Sequence, residues 1–250
     1  MTAWPGAVRP GDRLVAVSPH LDDAVLSIGA SLSHLAHEGV DVRVLTVFGG
    51  DPSQDREPGA SNRRAGFGST GQAARARRRE DDSACARLGV QPVRLAFDDD
   101  ELSARDPAAL GAALTAALSE AQVVLAPGSP LQHPDHLLVA RLTAACVPPG
   151  AVLAHYLEQP YATWQALSRP GGSSRTTAAG SGPVAAGAGS AAGWSRSGAC
   201  WRCQQRKLQA AGHYRSQLAV LRRWPRLRIA AHELLRGGER IAWPTTGPAS

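Results

Sequence analysis

The chain has 250 residues, of which 43% are hydrophobic, and a formal net charge of +6. That much apolar mass is enough to build a buried core in one domain spanning 1–250, and it excludes a disordered or fibrous chain. The positive charge is almost all arginine, Lys207 being the only lysine, which resembles the codon bias of a GC-rich bacterial genome; with aromatics at 5% there is little to stack bases, so no nucleic-acid partner is expected.

In chain order, residues 1–12 are polar and proline-bearing and lack the apolar core of a signal peptide. No later stretch approaches the roughly twenty uninterrupted apolar residues of a membrane span, so a cytoplasmic protein is expected. The run 14–17 reads as a first strand and 24–37 as a helix. Further strands are expected at 42–48, 93–97, 123–126 and 152–156, alternating with helices at 74–88, 107–119 and 136–146. The stretch 49–71 is a long polar loop. Residues 168–198 form a Gly/Ala/Ser/Thr tract with little to order a backbone, expected as a flexible insertion. Two arginine-rich helices, 204–223 and 229–236, close the chain before Gly237 and Gly238. The four cysteines are too few for a disulfide framework. Cys200 and Cys203 have redox or zinc-knuckle spacing but no second CxxC partner, and read as two reduced thiols.

Regular strand and helix alternation implies an α/β fold with a mostly parallel, Rossmann-like sheet and helices on both faces. In such sheets ligands bind outside the carboxyl ends of the strands. Two stretches fall there. "SPHLDD" (18–23) follows the first strand, and "PLQHPDHLLVARL" (130–142) follows the strand at 123–126. Each has an ordinary explanation, since Asp22 or Asp23 could cap one helix and Asp135 the other. Two histidine-and-carboxylate clusters at one sheet edge are a much rarer coincidence than one.

Together they supply a metal site. Catalytic zinc takes three N or O ligands and keeps one position open, which His20, Asp23 and His136 would satisfy without thiolates. Asp22 would act as the base for the attacking water. His133 would donate to a developing oxyanion, with Asp135 orienting it and favouring its protonated form.

"PHLDD" and "HPDH", in that order, resemble the motifs of the PIG-L or LmbE-like family of zinc-dependent N-deacetylases acting on N-acetylglucosaminyl compounds. The usual first motif is His-Pro-Asp-Asp-Glu and the second His-x-Asp-His. This chain departs from them at Leu21 and Ala24, neither an inferred ligand nor the base. "RRREDDSACARLGV" (77–90), "LAFDDDEL" (95–102), "YLEQPYA" (156–162) and "KLQAAGHYRSQL" (207–218) extend the resemblance. It implies substrate contacts for Arg77 and Asp99, although Arg77 could instead pair with Glu80 on a helix face and Asp99 could be a turn carboxylate. His34, His37, His155, His213 and His232 read as ordinary polar residues.

The function so implied is Zn2+-dependent removal of an N-acetyl or N-acyl group from a glucosaminyl moiety, with another divalent transition metal as an alternative ion. The partner would be a small-molecule or glycoconjugate substrate: a thiol precursor, a glycolipid or a glycopeptide-type natural product. The rival reading is an arginine-rich interaction module with a non-catalytic metal site. A nucleotide-binding protein would need a glycine-rich turn after the first strand, and a serine hydrolase a GxSxG elbow; neither occurs.

Overall fold

The computed structural model describes residues 8–52, 54–99, 106–163, 193–220 and 238–244. The expected helix at 229–236 and most of the 168–198 tract lie outside these residues. The elements in order are β1 (Arg13–Ser18), α1 (Asp23–His37), β2 (Asp41–Thr46), α2 (Ala60–Arg64), α3 (Thr70–Leu88), β3 (Gln91–Arg94) and α4 (Pro107–Leu118). They continue with β4 (Val123–Pro127), α5 (Pro134–Cys146), β5 (Val152–Tyr156), β6 (Trp194–Arg196), α6 (Trp201–Ala211), α7 (Arg215–Val220) and β7 (Arg240–Ala242). No helix among the described residues is long and apolar enough to cross a membrane.

The strands form one seven-stranded sheet in the order β3-β2-β1-β4-β5-β7-β6. The first five are parallel, Ala16 lying opposite Val44 on one side and Leu125 on the other. β7 runs antiparallel to β5 and to β6. β4 is buried along its whole length and β1 nearly so, as a strand covered on both faces requires. Alternation divides their side chains. Leu14, Ala16, Val42, Val44 and Leu125 pack with Ile28, Leu32, Leu88 and Ala210 of α1, α3 and α6. Val15, Val17, Leu45 and Val124 pack with Leu110, Leu114, Leu118 and Val139 of α4 and α5.

Several boundaries differ from the sequence reading for identifiable reasons. α3 starts four residues early, because Ser69 caps it by accepting the Gln72 N–H at 3.2 Å, and it ends at Gly89 in the left-handed region. β3 stops at Arg94, and beyond it Ala96 forms only a bridge with Phe48. The 49–71 loop contains α2. The helix expected over 204–223 breaks between α6 and α7, where the Tyr214 hydroxyl turns inward to donate to Asp81 at 2.9 Å. β6 and β7 are three residues each, too short to leave an alternating pattern.

One irregularity has its own compensation. α1 is kinked at Ile28 (φ −135°, ψ 22°). The backbone N–H groups of Ala30 and Ser31 donate instead to the two carboxylate oxygens of buried Glu239, each at 2.7 Å. Lys207, the only lysine, pairs with Glu239 at 3.0 Å and donates to the Ser27 carbonyl at 3.3 Å. A buried ion pair thus takes over hydrogen bonds that the kink removes from the helix ladder.

Successive crossovers run from β1 to β2 and β3 on one side, and from β4 to β5 on the other. The chain therefore reverses its direction of travel between β1 and β4, and the crevice at their carboxyl ends is the switch point of the sheet.

Candidate metal centre

The turn after β1 is built by Ser18. Its hydroxyl donates to the His20 carbonyl at 2.6 Å and accepts the Ala24 N–H at 3.0 Å, capping α1. Asp22 holds the cap position in the backbone but makes no side-chain cap bond. Asp23 turns back, accepting the His20 N–H at 2.9 Å and placing Oδ2 3.1 Å from His20 Nδ1. Neither aspartate is spent on capping the helix.

The turn after β4 has the same economy. His133 caps α5, its Nδ1 accepting the Asp135 N–H at 3.3 Å. The Asp135 carboxylate reaches His20, its Oδ2 lying 3.2 Å from His20 Nε2. One turn into the helix, buried His136 points Nε2 at both Asp23 Oδ2 and His20 Nδ1, 3.3 Å from each.

One donor atom from each of His20, Asp23 and His136 falls within 4.8 Å of the others, although the two turns are far apart in sequence. His20, His133 and Asp135 form a second, overlapping group. Two imidazoles and a carboxylate without a thiolate suit zinc and related divalent transition ions, so the residues present fit such an ion.

Behind His136 stands a residue the sequence reading did not single out. Glu158, just beyond β5, places Oε1 2.6 Å from His136 Nδ1, and its Oε2 accepts the Leu131 N–H at 3.1 Å. Both side chains are 1% exposed, which leaves water no part in that contact. This contact fixes the ring so that Nε2 faces the cluster. A lone glutamate beyond a strand carries no local signal of this; only the β4 and β5 pairing brings it to α5.

Arg77 and Asp99 come together beside His20. Asp99 Oδ1 is 3.2 Å from His20 Nε2, and its Oδ2 is 3.2 Å from Arg77 Nη1. Arg77 Nη2 donates to Asn62, on α2, at 2.6 Å. Glu80, the bland partner for Arg77, instead accepts from the Ser216 N–H and hydroxyl at 2.9 and 2.6 Å. His20, Asn62, Arg77 and Asp99, with Phe48, Gly50 and Asp98, line a small solvent-open cleft. Gly50 is needed there, since a Cβ would lie 2.6 Å from the Ala96 carbonyl.

The two adjacent aspartates are pushed in opposite directions. Burial, then the charge of Asp23, raises the Asp22 pKa to about 7. Burial also works to raise Asp23, but His136 and His20 overcome it and hold that carboxyl far below the ordinary range. Burial opposes the charged form of both imidazoles; contacts with Asp23 and Asp99 nonetheless raise His20 well above its usual value, and Asp23 with Glu158 raises His136 to about 9. His133 goes the other way, lowered by burial and by the two neighbouring imidazoles. The expected partner of His133, the Asp135 carboxylate, lies with Oδ2 3.5 Å from its Nδ1. Nδ1 accepts a backbone N–H, which places the proton of the neutral ring on Nε2.

The family model for PIG-L, GlcNAc-PI de-N-acetylase, matches residues 15–147, from β1 through the end of α5 and across both turns. The 2'-N-acetylparomamine deacetylase of Niallia circulans is 49% identical over 43 residues, 17% of this chain and 16% of that protein. The A40926 pseudoaglycone deacetylase Dbv21 superposes with a TM-score of 0.70 at 29% identity, over 93% of this chain and 96% of that one. The zinc-inhibited form of teicoplanin deacetylase Orf2 shares the fold, with a TM-score of 0.70 at 23% identity over 95% of this chain and 100% of that one.

Proposed function

The chain belongs to the PIG-L, GlcNAc-PI de-N-acetylase, family, and from that premise we propose a cytoplasmic metal-dependent hydrolase, one domain over 1–250, that removes an N-acetyl or N-acyl group from a glucosaminyl moiety on a larger conjugate. The observation that carries this reading is the meeting of His20, Asp23 and His136 at the β1 and β4 switch point, with Asp22 left uncommitted beside them. The glycopeptide conjugate is the favoured class, since Dbv21 is a pseudoaglycone deacetylase at 29% identity along almost the whole chain.

His20, Asp23 and His136 would hold the ion, Zn2+ or another divalent transition metal, whose Lewis acidity polarises an amide carbonyl and acidifies water in the site when it is bound. Asp22, whose pKa lies near neutrality, takes the proton of the attacking water and returns it to the leaving amine. His133 donates its Nε2–H to the developing oxyanion, and the cap bond from Asp135 N–H holds the ring in that tautomer. Glu158 keeps His136 Nε2 turned toward the cluster. Arg77 and Asp99, on the cleft wall, grip sugar hydroxyls.

The reading is tested by metal analysis of the purified protein together with acetate release from N-acetylglucosaminyl glycopeptides, N-acetylglucosaminyl inositol and free N-acetylglucosamine. Turnover of conjugates well above the free sugar is expected. Equal efficiency on all three refutes a role for the aglycone, and no release from any of them by the metal-loaded protein refutes the hydrolase.

A further inference from the structure

The spacing of Cys200 and Cys203 reads in sequence as two ordinary thiols, but the fold places them in a specific setting. Cys200 is the N-cap of α6, and its Sγ accepts the Cys203 N–H at 3.4 Å. Cys200 is exposed and Cys203 buried, with the two sulfurs 2.8 Å apart. Reaching a disulfide bond of about 2.05 Å asks for less than about 1 Å of further approach. From the last turn of α1, His34 brings Nδ1 to 3.9 Å from Cys203 Sγ. The three donor atoms form a group distinct from the His20 cluster.

Two uses of such a group compete. Thiolates on one tetrahedral zinc, with bonds of about 2.3 Å, sit about 3.8 Å apart, and a closed structural site needs four ligands. The sulfurs here are closer than that, and among the described residues the group offers three ligands. A dithiol requires nothing more than is present.

We propose that Cys200 and Cys203 form a reactive dithiol that exchanges with small-molecule disulfides, independently of the deacetylase site. Cys200 thiolate attacks one sulfur of the disulfide, forming a mixed disulfide and expelling one thiolate, which takes up a proton. Cys203 then gives its proton to His34 and attacks the Cys200 sulfur, closing the Cys200–Cys203 bond and expelling the second thiolate, which recovers that proton. One dithiol and one disulfide become one intramolecular disulfide and two thiols. The electrostatics divide the roles in the same way: the bond with Cys203, followed by backbone N–H groups of the first turn, lowers the Cys200 pKa, whereas burial pushes Cys203 up to about 12.

The test is equilibration of the full-length protein in a series of oxidised and reduced glutathione mixtures, acid quench, alkylation and peptide mass mapping. The Cys200–Cys203 peptide is expected to lose two hydrogen masses across a defined range of mixtures, while Cys85 and Cys146 remain alkylatable. Cys203→Ser should accumulate one glutathione on Cys200, Cys200→Ser should accumulate none on Cys203, and His34→Gln should slow only the second step. All three variants should retain the wild-type circular dichroism. A pair that stays reduced in every mixture overturns the proposal. So does a thiolate-to-metal absorption band on Co2+ addition that is lost in Cys203→Ser, because the thiols would then be metal ligands.

Discussion

Glu158 Oε1 lies 2.6 Å from His136 Nδ1, and the two side chains are equally buried. The pair joins the end of β5 to the first turn of α5 and leaves His136 only one nitrogen with which to face the cluster. Glu158→Gln keeps the shape but removes the charge that orients and enriches the ring. Metal affinity should fall by about 10–100-fold, read by chelator competition, with little change in the folded circular dichroism. Unaltered affinity would remove Glu158 from the site.

Asp22 and Asp23 are neighbours in sequence with opposite electrostatics, so their substitutions should fail differently. Asp22→Asn is expected to bind metal stoichiometrically and to lose about 100–10,000-fold in acetate release, the usual worth of a positioned acid or base. Asp23→Asn should lose the metal itself. If atomic emission finds equal zinc in both variants, the division of roles is wrong.

The Lys207 and Glu239 pair makes a prediction about stability. Lys207→Met leaves Glu239 buried without its cation against the kink of α1. Removing one partner of a buried pair costs about 3–5 kcal/mol, and the loss should be visible in urea unfolding. The double variant Lys207→Met with Glu239→Gln should recover part of it, since no uncompensated charge remains.

Asp55 ties the 49–71 loop to α3. It accepts the Gly71 N–H at 2.8 Å and the Ser69 hydroxyl at 3.0 Å, and these bonds, the backbone one first, lower its pKa below the ordinary 3.8. A carboxyl lowered by folding contributes stability that is present above its unfolded pKa and lost as pH falls through its folded value. Asp55→Ala should therefore be less stable than wild type at pH 7, with the gap closing as pH is taken below the unfolded carboxylate value. A gap that is constant across that range in denaturant unfolding would contradict the assignment.

The sequence by itself determined the alternation of β1 to β5 with their helices, because parallel strands covered on both faces must be continuous apolar runs and the helices between them must show a different period. It also marked the candidate site residues and the two turns that carry them, since His20, Asp22, Asp23, His133, Asp135 and His136 all lie in short stretches directly after such runs. The assignment of caps was beyond it. Aspartates beside a helix start are ordinary caps until the structure shows Ser18 and His133 taking that work. Glu158, Asn62 and the pair formed by Lys207 and Glu239 were beyond it as well, because each acts across a long chain separation on a partner that only strand pairing or helix packing supplies. Tertiary structure also decided the meaning of Cys200 and Cys203: their spacing is local, but the burial of one, the exposure of the other and the approach of His34 come from docking α6 against α1.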